Sequence, residues 1–464
     1  MKKKILFFVW FLPAVIGYTQ ELKKGAITND ILKELKQSYK ESNYYKAVEH
    51  AVQHNPVNKL AYTGDNDNID DNFKYKVKTK GITNQKQSGR CWMFASLNTI
   101  RPIIIEKLNL PSFEFSTNYL YFYDQLEKSN LFLEGIIQTG KADFSDRTVD
   151  WLFSNPIGDG GVWNLFVNLV KKYGVVPKEV MPETYNSENT RSLAKILSYK
   201  LREYGYRLKE KAQKGAKYDD LEKEKVEMLK DIYKILVMML GEPPTEFEWR
   251  YKDADGKVSE WKKYTPKSFY DEYIGLNMDD YVLIMDDPSR EYYKVYEIEF
   301  DRNLYEGINW WFINLPASEF KNAALESIKN NEAMYFSCDV GKELSRDKGI
   351  LAMGNYDYES LFDTKFGMDK KARILTHQSG STHGMALVGV DVDKNGKITK
   401  WLLENSWGAN NGHNGYLIMT DEWFDNYMFR IVINKKYLSK KILDQLNQKK
   451  IKLPPWDPMF EYDN

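Results

Sequence analysis

The stretch from His383 to Gly408 constrains this chain more than any other. Gly384-Met385-Ala386-Leu387-Val388-Gly389-Val390 has the length and composition of a buried strand, and Trp401-Leu402-Leu403-Glu404 has those of a second. Between them Asp393-Lys394-Asn395-Gly396 is a turn signal. An antiparallel hairpin through that turn brings His383 beside Asn405. Loop length decides whether the two side chains can meet, because strand faces alternate with period two. A two-residue Asn395-Gly396 loop pairs Lys394 with Lys397 and sets His383 and Asn405 on opposite faces. A three-residue Lys394-Asn395-Gly396 loop, with Gly396 left-handed in a bulge, pairs Val392 with Ile398 and sets them on one face. The three-residue loop is expected.

The second informative stretch is Asn84-Gln85-Lys86-Gln87-Ser88-Gly89-Arg90-Cys91-Trp92. From Cys91 to Ile100 the apolar residues Trp92, Phe94, Leu97 and Ile100 recur at roughly helical spacing, so an amphipathic helix is expected to start at the cysteine. Gly89 is expected to let the backbone turn tightly before it. A thiol in a first helical turn meets unpaired N–H groups and the positive end of the helix dipole, and both favour thiolate. The chain has 2 cysteines, too few for a disulfide framework. A Cys91–Cys338 bridge would silence Cys91. Met334-Tyr335-Phe336-Ser337-Cys338 is expected to be a buried strand in which Cys338 is a small core residue.

Cysteine, histidine and asparagine together are a complete set for acyl transfer. His383 would take the Cys91 proton, and Asn405 would accept a hydrogen bond from the imidazole and fix its orientation. Gln85, looping back from six residues upstream, would hold the oxyanion together with the Cys91 N–H. Trp407 would shield the His383–Asn405 bond from water. No metal and no cofactor is called for.

The rest of the chain frames these stretches. Lys2, Lys3 and Lys4 precede an apolar run from Ile5 to Ile16, the layout of a secretory signal peptide over residues 1–19, cut after Gly17 or nearer Gln20. The run is shorter than the ~20 residues a spanning helix needs, so no stable membrane anchor is expected. The protein is expected to be exported, periplasmic or secreted. With 66 acidic against 66 basic residues, nucleic acid is not an expected partner. Thr28 to Val52 is expected to be helical. A helix capped at Ser116 is expected to reach Gln125, and another after Asp159-Gly160-Gly161 to end at Gly174. Residues 188–262 change character: two charged amphipathic helices broken at Lys214-Gly215, then a hairpin turning at Asp255-Gly256. That segment is either a solvated hairpin packed on the body or an arm for self-association.

Gln85–Trp92 resembles the nucleophile segment of papain-like cysteine peptidases, and Asn405-Ser406-Trp407-Gly408 resembles their asparagine segment. Within that group the chain is most similar to the bleomycin hydrolase/aminopeptidase C family. The similarity rests on Ser88-Gly89-Arg90-Cys91-Trp92, Thr382-His383, Glu404–Gly408, Met419-Thr420-Asp421-Glu422-Trp423-Phe424 and the tail Leu453-Pro454-Pro455-Trp456-Asp457-Pro458-Met459. It implies an α+β, two-lobed papain-like fold over residues 20–464. A helical half would carry Cys91, with Trp92 beside it, and a β-rich half would carry His383 and Asn405. The long separation of Cys91 from His383 implies insertions, for which 188–262 is the natural place. The resemblance further implies a cysteine aminopeptidase acting on peptides and a closed homo-hexamer. Gly160-Gly161 would be the pair whose bare backbone meets an extended substrate, although a turn into a helix explains it equally. The tail, residues 452–464, would lie in the cleft, where the Asn464 carboxylate, or Asp463 or Glu461, would meet the substrate's ammonium group. Its prolines imply an extended path from Lys452 to Pro458. An endopeptidase or acyltransferase with the same residues, or a non-catalytic self-assembling peptide-binding protein, are the alternatives. Members are typically cytoplasmic, so the export signal departs from the pattern, as do the bulky acidic residues after Met459.

Overall fold

The computed structural model describes residues 25–39 and 43–461; the expected signal peptide and the last residues, Asp463 and Asn464 included, lie outside the described residues. The described chain divides into two units. The smaller comprises residues up to Tyr62 together with Asp357–Thr364. Its helices are Asn29–Ser38, Asn43–His54, Val57–Ala61 and Tyr358–Phe362. Thr28 caps the first, accepting from the Ile31 N–H at 3.3 Å. The single helix expected from Thr28 to Val52 is thus two, because Tyr39 leaves helical geometry at φ −79°, ψ 104°.

The larger unit, Thr63–Tyr356 with Lys365 onward, holds both informative stretches. The helix expected to carry the nucleophile, called the nucleophile helix for that expectation, runs Cys91–Lys107 and buries 13 of its 17 residues. It is therefore not amphipathic as expected. A helix buried on every face is a central core element, and its polar side chains must find partners inside. The helix capped by Ser116, whose Oγ accepts from the Tyr119 N–H at 3.0 Å, runs on to Gln138 rather than stopping at Gln125. Ser129 is accommodated inside it with its hydroxyl bonded back to the Gln125 carbonyl at 2.7 Å. Helix Trp163–Tyr173 stops at Gly174, which takes φ +71°. Helices Arg191–Gln213 and Tyr218–Leu240 break at Lys214-Gly215 and pack on Thr117–Gln138, with Leu197, Leu201, Ile232 and Leu236 buried. A buried Lys225–Glu134 pair at 2.6 Å joins the second of them to it. Strands Phe247–Trp249 and Lys262–Tyr264 form the short hairpin that follows.

Among the described residues the main sheet has 12 strands. At its centre Met428–Asn434, Met334–Cys338, His383–Val392, Ile398–Glu404 and Tyr416–Thr420 lie side by side, each antiparallel to the next. One face packs with the nucleophile helix and its neighbours around Trp92, Tyr335 and Phe429. The other forms a second core around Phe336, Met385 and Trp401. The hairpin register at the turn is the expected one: Val392 pairs with Ile398, and Gly396 takes φ +82°. Two irregularities follow that the turn does not specify. The pairing slips by one residue between Val392 and Asp391 and slips back between Gly389 and Leu387, where Ala386 faces Glu404. Gly389 permits the second slip, since a β-carbon there would lie 2.8 Å from the Leu402 Cβ. The two slips cancel, and the parity that puts His383 and Asn405 on one face survives.

Candidate active site

The loop before Cys91 is held from both ends. Gln85 and Ser406 exchange two bonds: the Gln85 N–H donates to the Ser406 carbonyl at 2.8 Å, and the Ser406 hydroxyl donates to Gln85 Oε1 at 2.7 Å. With its oxygen so fixed, the Gln85 amide turns its Nε2 away from Ser406, where one N–H reaches the Ser88 carbonyl at 2.8 Å. An amide nitrogen carries two N–H groups, so a second is available for an oxyanion. At the other end the Gly89 N–H donates to Asp159 Oδ2 at 2.8 Å, and Trp92 Nε1 donates to the Asp159 carbonyl at 2.9 Å. Thr190 donates to the same carboxylate. Gly89 is needed for this close approach and not for an unusual φ: a β-carbon there would lie 2.2 Å from Asp159 Oδ1. That corrects the expected reason for the glycine.

Cys91 opens the helix and is half-buried; the Arg90 carbonyl accepts from the Met93 and Phe94 N–H groups at 3.0 Å. Arg90 itself is fully buried, paired with Glu183 at 2.9 Å and lying over the rings of Phe94 and Tyr121. Across the seam, His383 opens its strand. The next residue, Gly384, lies on the nucleophile helix itself: a β-carbon there would be 3.2 Å from Trp92 Cα and 3.5 Å from Trp92 N, the atom bonded to Cys91. A glycine lets the strand approach that closely without the neighbours having to give.

His383 Nε2 lies 2.8 Å from Asn405 Oδ1, and the imidazole stacks on Trp407 with ring centroids 4.9 Å apart. The Asn405 oxygen also accepts from the Ser406 N–H at 2.7 Å, which turns the amide so that its oxygen faces the ring. Nε2 therefore carries the proton in the neutral tautomer, and Nδ1 presents a lone pair. Burial pushes the imidazole down to about 4, Asn405 opposes this, and Arg346 adds to it. A buried ring of this kind is neutral until a neighbouring negative charge compensates its own.

Behind the site, Arg101 of the nucleophile helix donates to Glu404 Oε1 at 2.5 Å and to the Gly81 carbonyl at 2.9 Å. Both side chains are buried. Burial pushes the Glu404 carboxyl up to about 7, with Arg101 holding it down. This pair joins the cysteine helix, the loop leading to Gln85 and the strand leading to Asn405. Sequence reasoning missed it, along with Asp159, Arg90 and Lys128. Arg90, a charge at the junction between a polar loop and the apolar run that begins at Cys91, was a visible signal. The contacts of the others that tie the site together, Asp159 to Gly89, Arg101 to Glu404 and Lys128 to Gly160, span 32 to 303 residues, beyond any local pattern.

Gly160 and Gly161 stand immediately before the Trp163 helix. The absent Gly161 side chain makes room for Trp92, whose Cε2 would lie 2.8 Å from a β-carbon there. The Gly160 carbonyl accepts from Lys128 Nζ at 2.7 Å. The pair lines a cavity of about 70 Å³ with Leu131, Trp151, Leu165 and Phe300. The tail is extended only as strand Ile451–Leu453, alongside Lys294–Ile298. It then turns, the Asp457 N–H returning to the Pro454 carbonyl at 3.1 Å, and Pro458–Glu461 is a helical turn. The expected extended path to Pro458 is thus wrong. A proline can start a helical turn as readily as it extends a chain. Arg290 holds Asp457, and Arg430 donates to the Met459 carbonyl, each at 2.5 Å.

A helix opened by cysteine and packed against a strand opened by a histidine, which bonds an asparagine just past the end of the neighbouring strand, defines a papain-like cysteine peptidase. The sequence matches the model of the peptidase C1-like family over residues 26–460, and the chain belongs to that family. It is 39% identical over 438 residues to aminopeptidase C of Streptococcus thermophilus, covering 94% of this chain and 98% of that protein. It is 39% identical over 398 residues to human bleomycin hydrolase, covering 83% and 88%. The solved structure of PepW from Lactobacillus rhamnosis HN001 superposes with a TM-score of 0.91 at 38% identity, over 94% of this chain and 99% of that one. The family and fold implied by the motifs are those found.

Proposed function

We propose that the protein removes residues from the N-terminus of peptides through an acyl-enzyme on Cys91, as a cysteine aminopeptidase of the bleomycin hydrolase family. The carrying observation is the 2.8 Å contact between His383 Nε2 and Asn405 Oδ1, which leaves Nδ1 as the acceptor for the thiol proton. The thiol proton passes to Nδ1 as sulfur attacks the carbonyl carbon. Thiolate and imidazolium form together, each offsetting the cost of burying the other. The second Gln85 N–H and the Cys91 N–H hold the oxyanion. The imidazolium then gives its proton to the leaving amine as the C–N bond breaks, and water enters by the reverse path. Labelling by a peptide electrophile aimed at thiols tests this: adduct at Cys91 supports it, and adduct elsewhere or none removes it.

The preference for a free N-terminus is assigned to the tail. Asn464, or else Asp463 or Glu461, would offer the substrate ammonium a carboxylate, with the tail anchored through Asp457 and Met459. A charge-assisted contact of that kind is worth roughly 1.5–3 kcal/mol, a tenfold preference or more. Deleting Phe460 to Asn464 should lower cleavage of free-amino peptides and raise that of N-acetylated ones; an unchanged ratio would remove the tail's role. The bare backbone of Gly160 and Gly161 is the surface proposed to meet the extended substrate. Export rests on the charged and apolar layout of residues 2–16, and cell fractionation tests it. A homo-hexamer rests on family resemblance, and light scattering over a concentration series tests it.

A further inference from the structure

On that reading of the site, the leaving half of the substrate departs past His383, because His383 donates its proton to the new amine. Trp407 stacks on the imidazole and so flanks that departure. Over Trp407 in turn lies the Arg346 guanidinium, 5.4 Å from the ring centroid. Arg346 is exposed, and among the described residues it has no ion pair and no hydrogen bond. It is nevertheless near enough for its charge to depress the His383 imidazole.

The loop that presents it is built firmly. Leu344–Ser345 pairs with Ile350–Leu351, and the Gly349 N–H closes on the Ser345 carbonyl at 2.8 Å. Gly349 takes φ +68° and lies against Gly412–His413, where a β-carbon would come within 2.4 Å of the His413 nitrogen. The Ile418 N–H donates to the Gly349 carbonyl at 2.8 Å. A fixed loop thus holds a cation, stacked on an aromatic ring, at the edge by which the product amine leaves. Arginine presents a planar fork of donors matched to a carboxylate.

We propose that Arg346 is a specificity-determining residue on the leaving-group side, selecting substrates whose leaving portion carries a carboxylate close to the scissile bond. That carboxylate can be the C-terminus of a dipeptide or the side chain of an acidic residue just after the bond. Short peptides with a free C-terminus are then preferred over longer neutral ones, which suits an enzyme that finishes peptide breakdown.

The test compares kcat/KM for alanyl-alanine with alanyl-alanine amide, and for alanyl-aspartate amide with alanyl-asparagine amide. The first pair reports a terminal carboxylate and the second a side-chain one. The wild-type enzyme should favour the charged member of at least one pair by about three- to tenfold, less at high salt. Arg346→Gln should bring that ratio close to one, Arg346→Lys should restore part of it, and Arg346→Glu should invert it. Because the ratio is taken within each variant, any general loss from disturbing Trp407 cancels. A wild-type ratio of one for both pairs, or a ratio that Arg346→Gln leaves unchanged, overturns the inference. No hydrolysis of any of the four by the wild type would instead overturn the aminopeptidase reading, and this inference with it.

Discussion

The two thiols of this protein belong to elements that both pack against the strand His383 opens, and they differ in their surroundings. Cys91 opens a helix, is half-buried and follows a loop whose amides are held by Asp159 and Ser406. Cys338 ends a strand at zero exposure, with His383 as its direct partner across the sheet on one side and Met428 on the other. Burial pushes the Cys338 thiol well above its ordinary range, and the charges of Asp339 and Cys91 push it further. Proximity to an imidazole is therefore not what makes a cysteine a nucleophile. A helix start with its unpaired N–H groups and partial exposure are what favour a reactive thiolate, and of the two cysteines Cys91 has both.

The sharpest way to break this contrast is Cys91→Ala, which should lower peptide hydrolysis by about 10⁴-fold or more while leaving the unfolding midpoint almost unmoved. Retained activity would mean that Cys338 can substitute. Gly89→Ala comes next. The added methyl meets the Asp159 carboxylate, so the loop must shift, and kcat should fall about 10- to 100-fold with the thiol still present. Thiol titration of the folded variant separates that outcome from loss of Cys91.

A pH experiment sharpens the contrast from the side of the imidazole. In the Cys91→Ala background burial, the Asn405 hydrogen bond and the Arg346 charge act on His383. Its folded value of about 4 lies below the ordinary 6.5, so the unfolded chain binds the extra proton between the two. Stability from this group is then present above pH 6.5 and lost as pH falls toward 4, by at most about 3 kcal/mol. Glu404 runs the other way: its raised carboxyl contributes below its unfolded value, and that contribution is lost as pH rises toward 7. Subtracting the denaturation midpoints of a His383→Gln partner cancels Glu404 and leaves the histidine slope. A flat difference between pH 4 and 6.5 would show that the ring is not buried neutral. The smallest effect belongs to Cys338→Ser. Burying a hydroxyl in place of the sulfur should cost about 1–2 kcal/mol of stability and change activity less than threefold.

What the sequence determined by itself is what adjacent residues can enforce. The turn at Asp393–Gly396 set the register of Val392 on Ile398, Ser116 started a helix and Gly174 ended one, and the cysteine was legible as a helix start. These depend on φ, on caps and on period, all of which act within a few residues. Tertiary structure decided the rest: the two cancelling slips in the hairpin, the burial of the Cys91 helix on every face and the turn that ends the tail's extended path. It also brought Asp159 to Gly89, Arg101 to Glu404 and Arg346 to Trp407. The physical reason is that a buried amide, carboxylate or ring takes its partner from whatever the packing brings within about 3 to 5 Å. Strands and helices far apart in the chain bring those partners together, so no local pattern announces them.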